Sequence, residues 1–426
     1  MNHLILKTVI NDMHEVIKEA DIVDREYVFE KNANYVLIGI RRAGKSTLLY
    51  KIVRDLIAEG VDWNRIIYVN FEDERLTEFS LEDFNDLVAT AGELTSEKPY
   101  FFLDEVQNIP GWERFARRMA DAREHVYITG SNAEMLSHEM ESRLGGRYMT
   151  MHVYPYNFRE YLTASKLDYS ESAYLTTKLN GRIRSAAQSY LTGGGFPESL
   201  MFVNRRSYVE NIYQKILYGD ILARNAIRNP ESLRLMMKKI AETVTSELSI
   251  SKLSGTIQAA GVKLSKDTAA EYVNYAENAY LIFRITNFVA KFAERESVPK
   301  YYFSDNGLLN LFLINKNSYL LENIVGIKLH QQFSDRLFYF KSPKTGIDTD
   351  FYTPDNHTAI QVAWSIEEEA ARKRAVDNLV KLSRSFEEAE RFIIVTLEEE
   401  ETIEIAQTTI EVIPLYKYLT MRDCSY

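Results

Sequence analysis

The chain has 426 residues, 46% hydrophobic and 26% charged, with only 18 Gly and 9 Pro. That composition excludes a collagen-like, low-complexity or mainly disordered protein and predicts two or three domains of roughly 100 to 200 residues each. Lys plus Arg is 51 against 61 Asp plus Glu, a net charge of −10, so a surface coated throughout for nucleic acid is excluded and any such contact is regional.

In chain order, the N-terminal stretch carries His3, Lys7, Asp12 and Glu15 among its apolar residues and lacks the unbroken apolar core of a signal peptide. No segment approaches about 18 uncharged apolar residues, so no membrane span is expected. The single cysteine, Cys424, excludes a disulfide framework and a Cys-based metal site and fits a reducing cytoplasm.

From about 34 to 155 short apolar runs alternate with segments of helical period, the rhythm of a parallel sheet with crossover helices. The strands are expected over Tyr35 to Ile40, Arg65 to Val69, Tyr100 to Val106, Val126 to Thr129 and Tyr148 to Tyr154. The helices are expected near 46–58, 81–93, 112–123 and 133–142.

Between the first strand and the first of these helices lies Gly39-Ile40-Arg41-Arg42-Ala43-Gly44-Lys45-Ser46-Thr47, which fits G-x-x-x-x-G-K-[ST] at every specified position. Glycines let backbone N–H groups wrap phosphates, Lys45 would reach the β and γ oxygens, and the Ser46 hydroxyl would hold a magnesium ion. Tyr100-Phe101-Phe102-Leu103 then delivers Asp104-Glu105, a buried strand ending in one carboxylate for magnesium and one for the attacking water. Asn70, ending the neighbouring strand, is a candidate to hold Glu105. Thr129, Ser131 and Asn132 end the next strand, where a polar group can sense the γ-phosphate, with Ser131 and Asn132 favoured. Arg143 and Arg147 follow, and either is a candidate arginine finger.

After Pro155 the texture is helical to about 245, interrupted by Gly193-Gly194-Gly195 and Pro197. Three short helices and β-prone residues over 246–292 have the rhythm of a winged helix. Residues 301–426 hold 20 acidic against 13 basic residues and read as an acidic α/β domain.

The P-loop, YVNFED (68–73), FFLDEVQNIPGW (101–112), ITGSN (128–132), SRLGGR (142–147), YPYNFREYL (154–162), GGGFPE (193–198), YYFSDNGL (301–308) and LEN (321–323) together resemble the prokaryotic AAA ATPases of the archaeal-ATPase and STAND-related type, over essentially the whole chain. The resemblance implies an α/β fold: a P-loop parallel-sheet core over 1–160, a helical lid over 161–230, a winged-helix-like domain over 231–296 and a C-terminal α/β domain over 297–426. It implies ATP with Mg2+, Glu105 as catalytic carboxylate, Asp104 and Ser46 on the metal, Arg147 as the finger, and Gly195-Phe196-Pro197 as an element packing near the nucleotide base.

The C-terminal stretch, with Glu322, Asp348, Asp350 and Gln361-Val362-Ala363, resembles the restriction-endonuclease-like fold, in which a helix glutamate, a strand aspartate and an acidic-x-Lys strand bind metal. Here the third motif lacks both its acid and its lysine, so an inactive recognition domain is expected. Residues 231–300 hold 10 basic against 8 acidic residues, with Lys252, Lys263, Lys266 and Lys291 as a candidate patch but no basic stripe. The reading is an ATPase that couples nucleotide state to an unidentified protein or DNA partner, with homo-oligomers compatible. Its rivals are a nucleotide-gated switch with negligible turnover and an ATP-dependent nuclease.

Overall fold

Tyr35, Val36, Leu37 and Ile38 are all buried, because the strand they form, β1 (Asn34–Ile38), is flanked by parallel neighbours and covered on both faces. In the computed structural model, which describes residues 1–130, 144–227, 229–314, 317–405 and 407–422, the chain divides into two units, Met1–Pro155 and Tyr156–Tyr426.

The first unit is a five-stranded parallel sheet built from β1, β2 (Ile66–Asn70), β3 (Tyr100–Asp104), β4 (His125–Gly130) and β5 (Tyr148–His152), in the order β2-β3-β4-β1-β5. All five expected strands are present. Helices α2 (Lys45–Ala58), α3 (Phe84–Leu94) and α4 (Trp112–Asp121) provide crossovers; the expected helix at 133–142 lies outside the described residues. Helix α1 (His3–Glu19) precedes them, its first turn capped by the Asn2 side chain accepting from the Leu4 amide. Leu6, Val9, Ile10 and Ile17, spaced for one helix face, are fully buried, each contributing about 1.5–3 kcal/mol by burial.

In the second unit helices Phe158–Ala164, Thr177–Gly193 and Arg205–Lys215 lead into Pro230–Glu242, Ile250–Ala259 and Lys266–Asn278. Strands β6 (Ile282–Asn287) and β7 (Lys300–Phe303) then pair antiparallel. β6 also pairs with β8 (Phe338–Ser342), so both enter one eight-stranded sheet with β9 (Ile347–Thr353), β10 (Thr358–Val362), β11 (Arg391–Thr396), β12 (Glu401–Ile405) and β13 (Thr408–Pro414). The expected boundary at 296/297 therefore falls inside a sheet, and that at 160/161 lies beyond the division at Pro155. The reason is non-local: Thr286 and Asn287 register with Phe338 and Tyr339, a pairing that local periodicity does not encode.

GGGFPE, SDNGL and LEN converge in this unit. Asp305 accepts from the Gly195 amide at 2.7 Å and the Gly307 amide at 2.8 Å, while Asn323 pairs with both backbone groups of Phe303 and with Asn306. A Cβ on Gly195 would lie 2.2 Å from the Tyr156 carbonyl oxygen, so glycine is required there by packing. Pro197 opens a 3-10 turn, Pro197–Met201.

Candidate nucleotide site

The loop between β1 and α2 sits at the carboxyl end of β1, where α/β sheets bind ligands. Gly39 has φ +142, and a Cβ on it would lie 2.1 Å from the Val153 carbonyl oxygen. Arg42 and Gly44 also take positive φ, 65° and 94°. Helix α2 has no side-chain N-cap and no acidic residue in its first turn, so its terminal amides and the positive end of its dipole are available to an anion. Ala43 is buried and Thr47 half-buried.

Lys45 is buried and donates to the carbonyls of Gly39 at 3.0 Å and Ile40 at 3.2 Å. Arg41 pairs with Glu72 at 3.3 Å. Arg25, from the segment before β1, donates to the Ala43 carbonyl at 3.0 Å and the Tyr154 carbonyl at 2.8 Å, fastening the loop to the chain after β5. Nothing in its local sequence marks Arg25 for this.

Asp104 ends β3 and is fully buried. Tyr68 donates to its Oδ2 at 2.8 Å and Thr129 donates to its Oδ1, and the nearby Ser46 side chain also favours its charged form. Burial first, then the neighbouring Glu105 charge, pushes the Asp104 carboxyl above its ordinary pKa. Glu105 follows with φ 53°, a left-handed conformation uncommon outside glycine. Thr129 Oγ1 accepts from its amide at 2.9 Å, and Gln107 Nε2 donates to its carboxylate at 2.5 Å. Thr129 thus holds both acidic residues at once.

Strand pairing places Asn70 beside Asp104 in register, but its Oδ1 accepts from the Glu72 amide at 2.9 Å, while Gln107 is a side chain that bonds Glu105. Arg147 stands before β5, whose first residue registers with Asn34 while its last registers with Ile38. The four-residue rise, roughly 13 Å at 3.3 Å per residue, puts Arg147 at the end of the sheet away from its own P-loop. There it donates to Asp121 at 2.5 Å. Ser131, Asn132 and Arg143 lie outside the described residues.

The second set of expected residues meets in the C-terminal sheet. Glu322, from the helix Asn317–Phe333, and Asp350, from β9, are both buried. Gln361 Nε2 and the Val362 amide donate to Asp350 at 2.5 and 2.8 Å, and Tyr302 donates to Glu322 at 2.8 Å. Burial raises the pKa of both carboxyls, and the Glu322 charge adds to the shift at Asp350. Asp348 is exposed. Lys300 of β7, absent from the motif reading, lies between the two buried carboxylates.

Residues 31–162 match the family described as AAA domain, and residues 184–319 match a domain of unknown function (DUF8612). The chain is 28% identical to an uncharacterized protein of Methanocaldococcus jannaschii, over 97% of this chain and 95% of that one. It is 29% identical to an uncharacterized protein of Haemophilus influenzae, over 82% of this chain and 86% of that one. Among solved structures, the Walker-type ATPase paby2304 of Pyrococcus abyssi aligns with 70% of this chain and all of its own, at 16% identity and a TM-score of 0.39. The AAA-domain match falls on the segment that carries the P-loop, Asp104 and Glu105, and supports nucleotide binding by this unit.

Proposed function

We propose that the protein binds ATP with Mg2+ at this loop, hydrolyses it, and uses the nucleotide state to control a macromolecular partner. The observation that carries the reading is the meeting of Lys45, Ser46, Asp104 and Glu105 at the carboxyl ends of β1 and β3, with Thr129 tying the Asp104 carboxylate to the Glu105 backbone amide. The fit to a phosphate chain rests on the uncapped start of α2 and the positive-φ turns of the loop before it. The fit to a magnesium ion rests on Ser46 and Asp104, a hydroxyl near enough to a buried carboxylate to favour its charged form.

When bound, the metal supplies charge neutralisation at the phosphates. Lys45 exchanges its two carbonyl partners for phosphate oxygens, and the α2 amides hold the remaining charge. Asp104 stays ionised beside the cation, with Tyr68 and Thr129 fixing its orientation. Glu105 takes the proton of the attacking water, its carboxylate oriented by Gln107. A reducing cytoplasm is the proposed compartment, and no helix among the described residues is long and apolar enough to cross a membrane.

Replacing Lys45 by alanine removes the cation of the loop, and calorimetry is expected to show loss of ATP binding. Glu105→Gln is expected to bind ATP like the wild type while turnover falls by about a hundredfold or more, the usual weight of a general base. Equal turnover of wild type and Glu105→Gln, both above background, would favour the switch reading.

For the partner, three helices followed by the β6–β7 pair support a winged-helix reading. The helix that would enter a groove, Lys266–Asn278, exposes Lys266 against Asp267 and Glu271. This balance disfavours phosphate-backbone docking, so a protein partner is preferred. ATPase assays with and without duplex DNA test this, and stimulation by DNA would reverse the preference.

A further inference from the structure

Two carboxyl groups buried around one point must be neutralised, by a cation or by protonation. In the C-terminal sheet the Lys300 Nζ is 3.8 Å from Glu322 Oε1 and 3.9 Å from Asp350 Oδ1, and its side chain is 4% exposed. It also lies 5.2 Å from the centre of the Tyr339 ring. The lysine comes from β7, which reaches this sheet only through its pairing with β6. It does not come from the strand of Gln361 and Val362, after which Ala363 stands where the sequence pattern has lost a lysine.

The remaining acceptor sites are largely committed. Asp350 Oδ2 takes two N–H donors, from Gln361 and Val362, and Glu322 Oε1 takes the Tyr302 hydroxyl. Gln361 Oε1 is buried with no hydrogen-bond partner.

We infer that the Lys300 ammonium is a built-in counter-cation that takes the place of a divalent metal between Glu322 and Asp350. A hard divalent ion would need these oxygens at about 2.0–2.6 Å. It would share both with the ammonium, a like-charge contact that low surrounding polarity makes costly. The pocket is therefore complete without metal, and the domain keeps the carboxylate pair as a neutralised part of its interior. Removing the ammonium alone uncovers two carboxylates, beside a Gln361 that bonds Asp350 through its nitrogen and has an oxygen without a partner, oxygen donors that suit Mn2+ or Mg2+. The inference is independent of the nucleotide reading, since it concerns residues of the second unit only.

The test uses the full chain without nucleotide, in an Asp104→Asn background that removes the proposed P-loop metal ligand, with Mn2+ alone as the probe. With Lys300 present, calorimetry and electron paramagnetic resonance are expected to detect no stoichiometric Mn2+, and the melting temperature is expected not to move. Lys300→Met is expected to melt lower, to bind one Mn2+ at least about tenfold more tightly than its parent, and to recover stability with the metal. Adding Glu322→Gln is expected to abolish that gain. One Mn2+ per chain with Lys300 intact overturns the inference, and this arm does not depend on the Lys300 variant folding. Absence of any Mn2+ gain in a folded Lys300→Met protein overturns it equally.

Discussion

Thr129 carries more of the proposed chemistry than a strand-end hydroxyl normally would, because one oxygen donates to Asp104 and accepts from the Glu105 amide. Thr129→Val keeps the shape and removes both bonds. The buried Asp104 then loses a donor, at a cost of about 1–3 kcal/mol, and Glu105 loses a restraint on a left-handed backbone. Turnover is expected to fall while ATP binding by calorimetry changes little, and an unchanged kcat would remove Thr129 from the site. Asp305 offers a second test at this scale. Burial pushes its carboxyl up to about 6 from 3.8, against three backbone N–H bonds that pull it down. A carboxyl whose folded pKa is raised favours the folded state most below its unfolded pKa, and that contribution is lost as pH rises from about 4 through about 6. The stability difference between wild type and Asp305→Asn, from denaturant unfolding, is expected to fall by about 3 kcal/mol over that window. A difference that stays flat or rises would mean the buried carboxyl is ionised throughout.

At the scale of elements, the loop is held from outside as well as by its own glycines. Arg25 spans the Ala43 and Tyr154 carbonyls with two guanidinium nitrogens, a bridge that a single ammonium does not reproduce. Arg25→Lys and Arg25→Met are therefore both expected to weaken ATP affinity by roughly tenfold, the effect of about 1.4 kcal/mol, with the fold retained. Equal affinities by calorimetry would restrict Arg25 to a packing role.

The same loop shows what local sequence encodes. Its glycines, Lys45, Ser46 and the Asp104-Glu105 strand end were legible because phosphate and metal chemistry fix their types and spacing, and the five parallel strands because buried strands read as apolar runs. Arg25, Tyr68, Thr129 as a double partner, and Gln107 in place of Asn70 depend on which distant backbones come together. Helix α1 is not among the expected elements, since the charges among its apolar residues speak in sequence only against a leader or a span. The merging of β6 and β7 with the C-terminal sheet, and the placement of Lys300 in it, are long-range pairings invisible to periodicity.

At the scale of the whole molecule, the proposed finger raises the question of how many chains make one working site. Arg147 precedes β5 at the end of the sheet away from its own P-loop, and it is paired there with Asp121. A strand of this length separates it from its own nucleotide position by roughly 13 Å, so a contact with a transferring phosphate is proposed to be made on a neighbouring copy. Releasing the Asp121 pair would cost little, since exposed ion pairs contribute about 0–1 kcal/mol. Arg147→Ala is expected to bind ATP normally and to lose roughly a thousandfold in turnover, the scale on which finger arginines act. Mixing it with Lys45→Ala is the decisive measurement. The first variant keeps an intact P-loop without a finger, the second a finger without a P-loop, and only an arrangement that joins one from each chain restores a working site. Recovery of activity that grows with total protein concentration is the expected outcome. Wild-type turnover by Arg147→Ala at every concentration would withdraw Arg147 and leave Arg143 as the residue to replace next.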